Sequence, residues 1–288
     1  MSDDKLTFRA GIAALLTIAW AALLIFLPPK YPFPHDFHHD IDSPILALEI
    51  SRGGGDINQV LRPGPTPQAE AEECDLGTGD HNPTAAACEA QAHDYEFKSN
   101  ELDLIFIPLY AFFLWSSARV FTQRTRLLAL LILGAAAFDY LEDWQIFQAL
   151  NGMSPAIYVP SLIKWALLGL VLFSTGIILL RSKSAIYSLP TKRLLSIAYF
   201  LSGVLLLLAV AFGSWIGYSL IELATTLFSV VLVVHVIGFL GHYVAIPGIQ
   251  QKFVENFCEE RKKAGQESLI AVKAEPAGKS DPQSPIAT

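Results

Sequence analysis

The sequence predicts an all-α membrane protein: a bundle of six transmembrane helices with a large extracytoplasmic loop between spans one and two. Of the 288 residues, 52% are hydrophobic and only 16% are charged, whereas about a quarter are charged in soluble domains. Six mostly apolar stretches are each long enough to cross a hydrocarbon core of about 30 Å as a helix. This composition excludes a soluble enzyme.

The predicted spans comprise residues 10–27, 103–119, 127–147, 158–180, 194–212 and 219–243. A signal peptide is the alternative interpretation of the first span, because Lys5 and Arg9 precede the apolar run. That run is longer than a usual signal core and ends in Leu27-Pro28-Pro29-Lys30 without a small-residue cleavage site. We therefore expect a retained anchor.

The distribution of positive charge predicts the orientation, since short cytoplasmic loops are enriched in Lys and Arg. With the N-terminus inside, 15 of the 20 Lys and Arg residues lie on the inner side, four lie outside, and Lys164 lies within a span. Six spans then place both termini in the cytoplasm. The absence of a usable glycosylation sequon is compatible with a bacterial inner membrane, which we expect as the location. The net charge of −7 argues against nucleic acid as a partner.

This predicted topology divides the chain into four segments. They are residues 1–29 with the first span, the extracytoplasmic loop 30–101, a five-helix bundle over 102–248, and a partly disordered cytoplasmic tail over 249–288. Within the loop, Ser43-Pro44 before an apolar run predicts a short capped helix with Pro44 in its first turn. Alanine-rich sequence from Thr84 favours a helix that continues into the second span.

Two of the three cysteines, Cys74 and Cys88, share the outer loop, with 13 residues between them. In an oxidising compartment such a pair can close a disulfide loop that contributes about 3 kcal/mol of stability in the chain-entropy model. The alternative is two unrelated thiols. Cys258 lies beside two glutamates in the tail, which argues against an activated thiol.

Ionisable groups inside the spans are few, and each costs a few kcal/mol in a bilayer core unless it has a partner or a task. They include Asp103, Asp139, Glu142, Asp143, Lys164 and Glu222, all in the outer half of their spans. Offsets of three and four put the acidic residues of the third span on one helical face. We expect this face to point toward Lys164 and Glu222.

Two interpretations of this group remain open. The first is a buried ion pair of Lys164 with Asp139 or Glu142 that only fixes helix packing. The second is a polar cavity open to the outside, in which the six residues bind a ligand. One lysine cannot neutralise four or five carboxylates, so the surplus must be hydrated, protonated or metal-bound.

The histidines form two groups. His35, His38 and His39, with intervening aspartates, have the ligand types of a transition-metal site, and a hydrated interfacial loop is the alternative. His235 and His242 share a face of the sixth span, but no other span carries the facing histidine that haem requires. We expect a hydrogen-bonded core His235, an interfacial His242 and no other cofactor.

Three segments of the sequence are similar to segments of a known group of proteins. Leu102-Asp103-Leu-Ile-Phe-Ile-Pro-Leu-Tyr110, Phe138-Asp-Tyr-Leu-Glu-Asp143 and Ile163-Lys-Trp165 together resemble a set of uncharacterised bacterial multipass membrane proteins. In these, an aspartate opens one helix, Asp-x-x-Glu-Asn lies in the next, and Lys-Trp follows. This chain has Asp143 where Asn is usual. The resemblance implies that Asp103, Asp139, Glu142 and Lys164 act as a unit, and it implies no activity.

Three function classes fit these features. The first is a membrane protein whose outer polar cavity binds or moves a small polar or lipid-derived ligand, with coupled proton or ion movement. The second is a membrane enzyme acting on a lipid head group, with Glu142 or Asp139 as general base and Lys164 as electrostatic stabiliser. The third is a non-catalytic assembly factor that docks through its outer loop.

Overall fold

The structure is a computed structural model that describes residues 3–29, 44–49, 60, 85–153, 155–182, 186–212 and 215–244. Throughout these residues the chain is helical apart from turns and short connections, and they contain no strand. The predicted all-α class is therefore confirmed. Most of the predicted outer loop and the tail 249–288 lie outside the described residues.

Seven helices account for the described chain. They are α1 (Asp3–Phe26), α2 (Pro44–Glu49), α3 (Ala85–Phe121), α4 (Arg126–Leu150), α5 (Tyr158–Arg181), α6 (Leu189–Phe212) and α7 (Trp215–Val244). Helices α1, α3, α5, α6 and α7 are long and apolar enough to cross a membrane. These five helices indicate a multi-pass membrane protein in a lipid bilayer.

The helix α4 coincides with the third predicted span but is not among those five. The reason is its charge, because α4 contains Asp139, Glu142 and Asp143 within five residues. All three carboxylates are buried, while Leu127 is 72% and Leu130 is 67% exposed. The outer surface of α4 is thus apolar and its inner face is acidic, the reverse of a helix on a soluble protein.

Two local predictions are confirmed. Helix α2 begins at Pro44, where proline stabilises a first turn because its missing N–H has no partner there in any helix. Helix α3 begins at Ala85 and continues for 37 residues through the second predicted span. It contains Pro108 without ending there.

The helices pack in chain order, with α1 on α3, α3 on α4, α4 on α5 and α5 on α6. Short connections of the kind seen after α3 and α4 place consecutive helices side by side. Helix α2 packs against both α3 and α4, and its residues Leu46, Ala47, Leu48 and Glu49 are buried. The short helix therefore brings a glutamate from the segment before α3 to the acidic face of α4.

Candidate functional site

Lys164 on α5 lies among three carboxylates. Its Nζ atom is 2.9 Å from Asp139 Oδ1 and 3.2 Å from Glu49 Oε1, and it also pairs with Glu142 Oε2. Lys164 is 3% exposed and Glu142 is completely buried. We refer to Lys164, Glu49, Asp139 and Glu142 as the Lys164 cluster.

Helical periodicity accounts for the assembly of the cluster. Asp139 and Glu142 are three residues apart on α4, so their side chains leave the same face toward α5. Lys164 lies in the second turn of α5, and the flexible lysine stem lets its ammonium reach both carboxylates. Glu49 is the last residue of α2 and approaches from a separate part of the chain. Three elements thus converge on one ammonium group.

Ser161 links the cluster to α2. Its hydroxyl is within hydrogen-bond distance of Glu142 Oε1, of the Glu49 carbonyl oxygen at 2.6 Å, and of the Ile157 carbonyl oxygen at 3.2 Å. A hydroxyl carries a single proton, so it donates to only one of these oxygens at a time. The hydroxyl therefore donates either to the Glu142 carboxylate or to one of the two backbone carbonyl oxygens.

Helix α3 adds two hydrogen bonds to the acidic face. The Tyr110 hydroxyl donates to Asp139 Oδ2 at 2.6 Å, so both oxygens of that carboxylate have a partner. One turn toward the far end of α4, Asn100 Nδ2 donates to the Asp143 backbone carbonyl at 3.0 Å. These bonds hold α3 in register with α4.

The carboxyl groups in this region outnumber the lysine. Besides the cluster, Asp143 is 2% and Glu96 is 1% exposed, and Asp143 Oδ2 and Glu96 Oε1 have no hydrogen-bond partner among the described residues. Burial raises the pKa of Glu49, and the nearby Lys164 ammonium offsets only part of this effect. A region of this kind retains protons or attracts a cation, because several unpaired buried charges cost too much.

The structure brings together three of the six predicted ligand-binding residues: Asp139, Glu142 and Lys164. Asp143 lies on the same buried face, but its carboxylate is not one of the Lys164 partners. Asp103 on α3 is half-buried. Glu222 on α7 is also half-buried and is not paired with Lys164.

Sequence reasoning missed Glu49, Ser161, Tyr110 and Glu96 as members of this region. For two of them the sequence contained a spacing that indicated their position. Ser161 precedes Lys164 by three residues, which places both on one helical face, and Tyr110 follows Asp103 by seven residues, again on one face. Glu49 belonged to a helix that was predicted without a tertiary partner, and no local pattern connects it to Lys164.

The predicted metal and disulfide sites involve residues outside the described part of the chain. His35, His38, His39 and Cys74 all lie there. Within the described residues no group of three His, Cys, Asp or Glu side chains is arranged to hold a metal ion. Cys88 is buried near the start of α3. The metal site and the Cys74–Cys88 disulfide therefore stay predictions.

No protein family model, no curated protein and no solved structure matches this chain.

Proposed function

We propose that this protein is a six-span membrane protein in which the Lys164 cluster binds a small polar or lipid-derived ligand, with binding linked to proton uptake or release. The surplus of buried carboxyl groups over the single lysine carries this proposal. Glu49, Asp139 and Glu142 surround one ammonium, and Glu96 and Asp143 are buried nearby. Buried polar groups that exceed the needs of packing in a membrane helix are typical of substrate and proton sites.

The two faces of α4 support its assignment as a membrane span, the third in chain order. In lipid, apolar side chains face outward and ionisable groups face the bundle interior. Leu133 is 65% and Trp144 is 61% exposed on one side, whereas the three carboxylates are buried on the other. Six spans and the distribution of Lys and Arg together favour cytoplasmic termini, and the lack of a usable glycosylation sequon is compatible with a bacterial inner membrane.

The position of Glu49 supports a route for the ligand. Helix α2 has six residues, too few to span a bilayer, and it closes the cluster with one salt bridge and one hydrogen bond. Movement of α2 would release one Lys164 partner and the Ser161 hydroxyl together. The freed ammonium, hydroxyl and neighbouring carboxyls provide both donors and acceptors, as a polar head group requires.

Native mass spectrometry of the full chain in lipid nanodiscs tests this proposal. We expect a bound molecule of defined mass at near-unit stoichiometry on the wild-type protein. Glu142→Gln keeps the shape of the side chain but changes its charge and proton capacity, and it should lose that molecule. Asp94→Asn is the matched control, because Asp94 forms an exposed ion pair with Lys98 on α3 and should leave binding unchanged. Equal retention of heterogeneous lipid by all three proteins would contradict the proposal.

A second candidate, a membrane enzyme acting on a lipid head group, is favoured by one contact. The Ser161 hydroxyl is hydrogen-bonded to Glu142 and lies one turn from Lys164, so a nucleophile, a base and a positive charge are adjacent. Treatment with a fluorophosphonate probe tests this candidate. Covalent labelling of the wild type that is absent from Ser161→Ala would favour the enzyme, and an unlabelled wild type would argue against a nucleophilic Ser161.

A further inference from the structure

His235 on α7 occupies a second buried polar site that the Lys164 cluster does not include. The ring is completely buried, and both of its nitrogens have partners. The Tyr187 hydroxyl is 2.5 Å from Nδ1 and the Tyr199 hydroxyl is 2.8 Å from Nε2. The expectation of a hydrogen-bonded core histidine is thus confirmed, with two phenols as its partners.

The surroundings of this site are aromatic. Phe239 stacks on the His235 ring with centroids 4.8 Å apart, and Phe113 and Phe121 of α3 approach it at 5.8 and 6.0 Å. The titratable side chains in contact with the ring, among the described residues, are the two tyrosines. No charged side chain of that part of the chain contacts it.

A glycine makes room for the loop tyrosine. A Cβ atom on Gly238 would collide with the Tyr187 ring, so only glycine at this position lets Tyr187 reach His235. Burial raises the pKa of the Tyr187 phenol, which keeps its proton available for hydrogen bonding. Tyr187 lies between α5 and α6, and it reaches the site from the connection between those helices.

The imidazole can pass a proton between the two phenols. A neutral ring has one N–H donor and one acceptor nitrogen, so one tyrosine accepts a hydrogen bond and the other donates one. Exchange of the two tautomers reverses both bonds. In this exchange one phenol gives its proton to the ring while the ring gives its own proton to the other phenol. The ring keeps one proton, the first phenol is restored by a proton from its own side, and the second phenol releases a proton on the opposite side.

Ser117 lies on the face of α3 that carries Phe113 and Phe121. It lies four residues from both Phe113 and Phe121, whose rings contact His235, so the three share one face of α3. Ser117 is completely buried, and its Oγ atom has no hydrogen-bond partner among the described residues. Seven residues, about 10 Å of helix, separate it from Tyr110, which donates to Asp139. Ordered water commonly satisfies buried hydroxyl groups that have no protein partner.

We propose that protons move along the inner face of α3 between the Lys164 cluster and His235, through Tyr110, Ser117 and bound water. A proton reaches the unprotonated nitrogen of His235 through the tyrosine that is hydrogen-bonded to it. The proton on the other nitrogen is then released to the second tyrosine oxygen, which passes its own proton onward. No electron is transferred and no bond other than O–H and N–H changes. The inference rests on the proposed function only in that the cluster supplies or accepts the protons.

Proton flux in liposomes tests this pathway. The purified full chain is reconstituted with a pH-sensitive dye inside, and a potassium gradient with valinomycin provides the driving force. We expect the wild type to acidify the interior well above protein-free liposomes. His235→Phe and Tyr199→Phe should each lower the flux by at least about tenfold, the order of a lost proton-transfer group. Tyr187→Phe removes one hydroxyl with little change in packing and should have the same effect.

The serine pair on α3 provides a matched control. Ser116 is also buried, but its hydroxyl donates to the Phe113 carbonyl at 3.0 Å. Ser117→Ala should lower the flux without lowering the melting temperature, whereas Ser116→Ala should leave the flux unchanged. Circular dichroism melts of every variant establish that it is folded.

Two outcomes would overturn the pathway. One is a wild-type flux equal to that of protein-free liposomes, and the other is a wild-type flux in folded His235→Phe and Ser117→Ala. If the wild type still retains a defined ligand in nanodiscs, the proposed function stands while the pathway fails. If the wild type shows neither a defined ligand in nanodiscs nor a flux in liposomes, both the proposed function and the pathway are rejected.

Discussion

The hydroxyl of Tyr140 on α4 donates a hydrogen bond of 3.2 Å to the backbone carbonyl oxygen of Leu104 on α3. Leu104 lies four residues before Pro108, which lies inside α3 and has no N–H to donate to that carbonyl. In a bilayer, an unpaired carbonyl costs several kcal/mol unless another group pairs with it. Tyr140 therefore compensates on one helix for the proline of another, and α3 continues past Pro108.

The first prediction concerns this bond. Tyr140→Phe leaves the Leu104 carbonyl unpaired and should lower the free energy of unfolding by about 1 kcal/mol. Pro108→Ala restores an N–H four residues after Leu104, so Tyr140→Phe should cost less in that background. Chemical denaturation of the four proteins in detergent measures the coupling. Equal costs in both backgrounds would show that Tyr140 does not compensate for Pro108.

The second prediction concerns the Lys164 cluster. Lys164→Met leaves three buried carboxyl groups without their cation and should lower the free energy of unfolding by about 3 to 5 kcal/mol. Adding Glu142→Gln or Asp139→Asn removes one uncompensated charge and should restore part of this loss. Thermal melts of single and double variants in detergent test the coupling.

Lys98→Met is the control for that series. Lys98 pairs with Asp94 on the exposed face of α3 at 2.9 Å, and exposed pairs contribute little to stability. Its variant should melt like the wild type. If Lys164→Met also melts like the wild type, the cluster is hydrated and does not stabilise the fold.

The third prediction concerns the contact between α5 and α6. A Cβ atom on Gly203 would lie against the backbone nitrogen of Phe173 and 2.7 Å from the Gly169 carbonyl oxygen. Gly203→Ala should therefore push the helices apart at a cost of about 1 to 3 kcal/mol. Gly241→Ala is the control, because a Cβ there meets nothing within 4 Å, and it should be neutral or slightly stabilising. Similar melting temperatures for both variants would contradict this close approach.

The fourth prediction concerns orientation. With both termini in the cytoplasm, a cysteine introduced at Gly54 should react with an impermeant maleimide in intact cells, and one at Ser184 should react only after lysis. The background is a chain with all three native cysteines replaced by serine. The opposite labelling pattern would invert the proposed topology.

The fifth prediction concerns Cys74 and Cys88. If they form a disulfide, denatured protein should have one reactive thiol before reduction and three after it. Cys74→Ser and Cys88→Ser should each have two reactive thiols before reduction. Three thiols in the unreduced wild type would exclude the bond.

The sequence by itself was sufficient for the helical class and, to within three residues, for the last residue of each long helix. Long apolar stretches fold as helices in lipid because every backbone N–H and C=O must be paired within the segment, and this rule acts locally. The same local reasoning placed Asp139 and Glu142 on one face and found Pro44 as the start of α2. It also identified Lys164 as the cation that pairs with the carboxylates on this face of α4.

The tertiary structure decided which partners meet. Glu49 contacts Lys164 across more than a hundred residues of chain, and no periodicity or spacing encodes that contact. Glu222 was predicted to lie in the outer half of its span, as Lys164 does, but it is not among the Lys164 partners. The sequence predicts the depth of a residue in the membrane and the side of the helix on which it lies. The packing of α2 against α3 and α4 determines which carboxylate reaches the Lys164 ammonium. The hydrogen bond between Tyr187 and His235 likewise depends on Gly238. The absence of a side chain at Gly238 matters only because α7 packs beside the connection between α5 and α6.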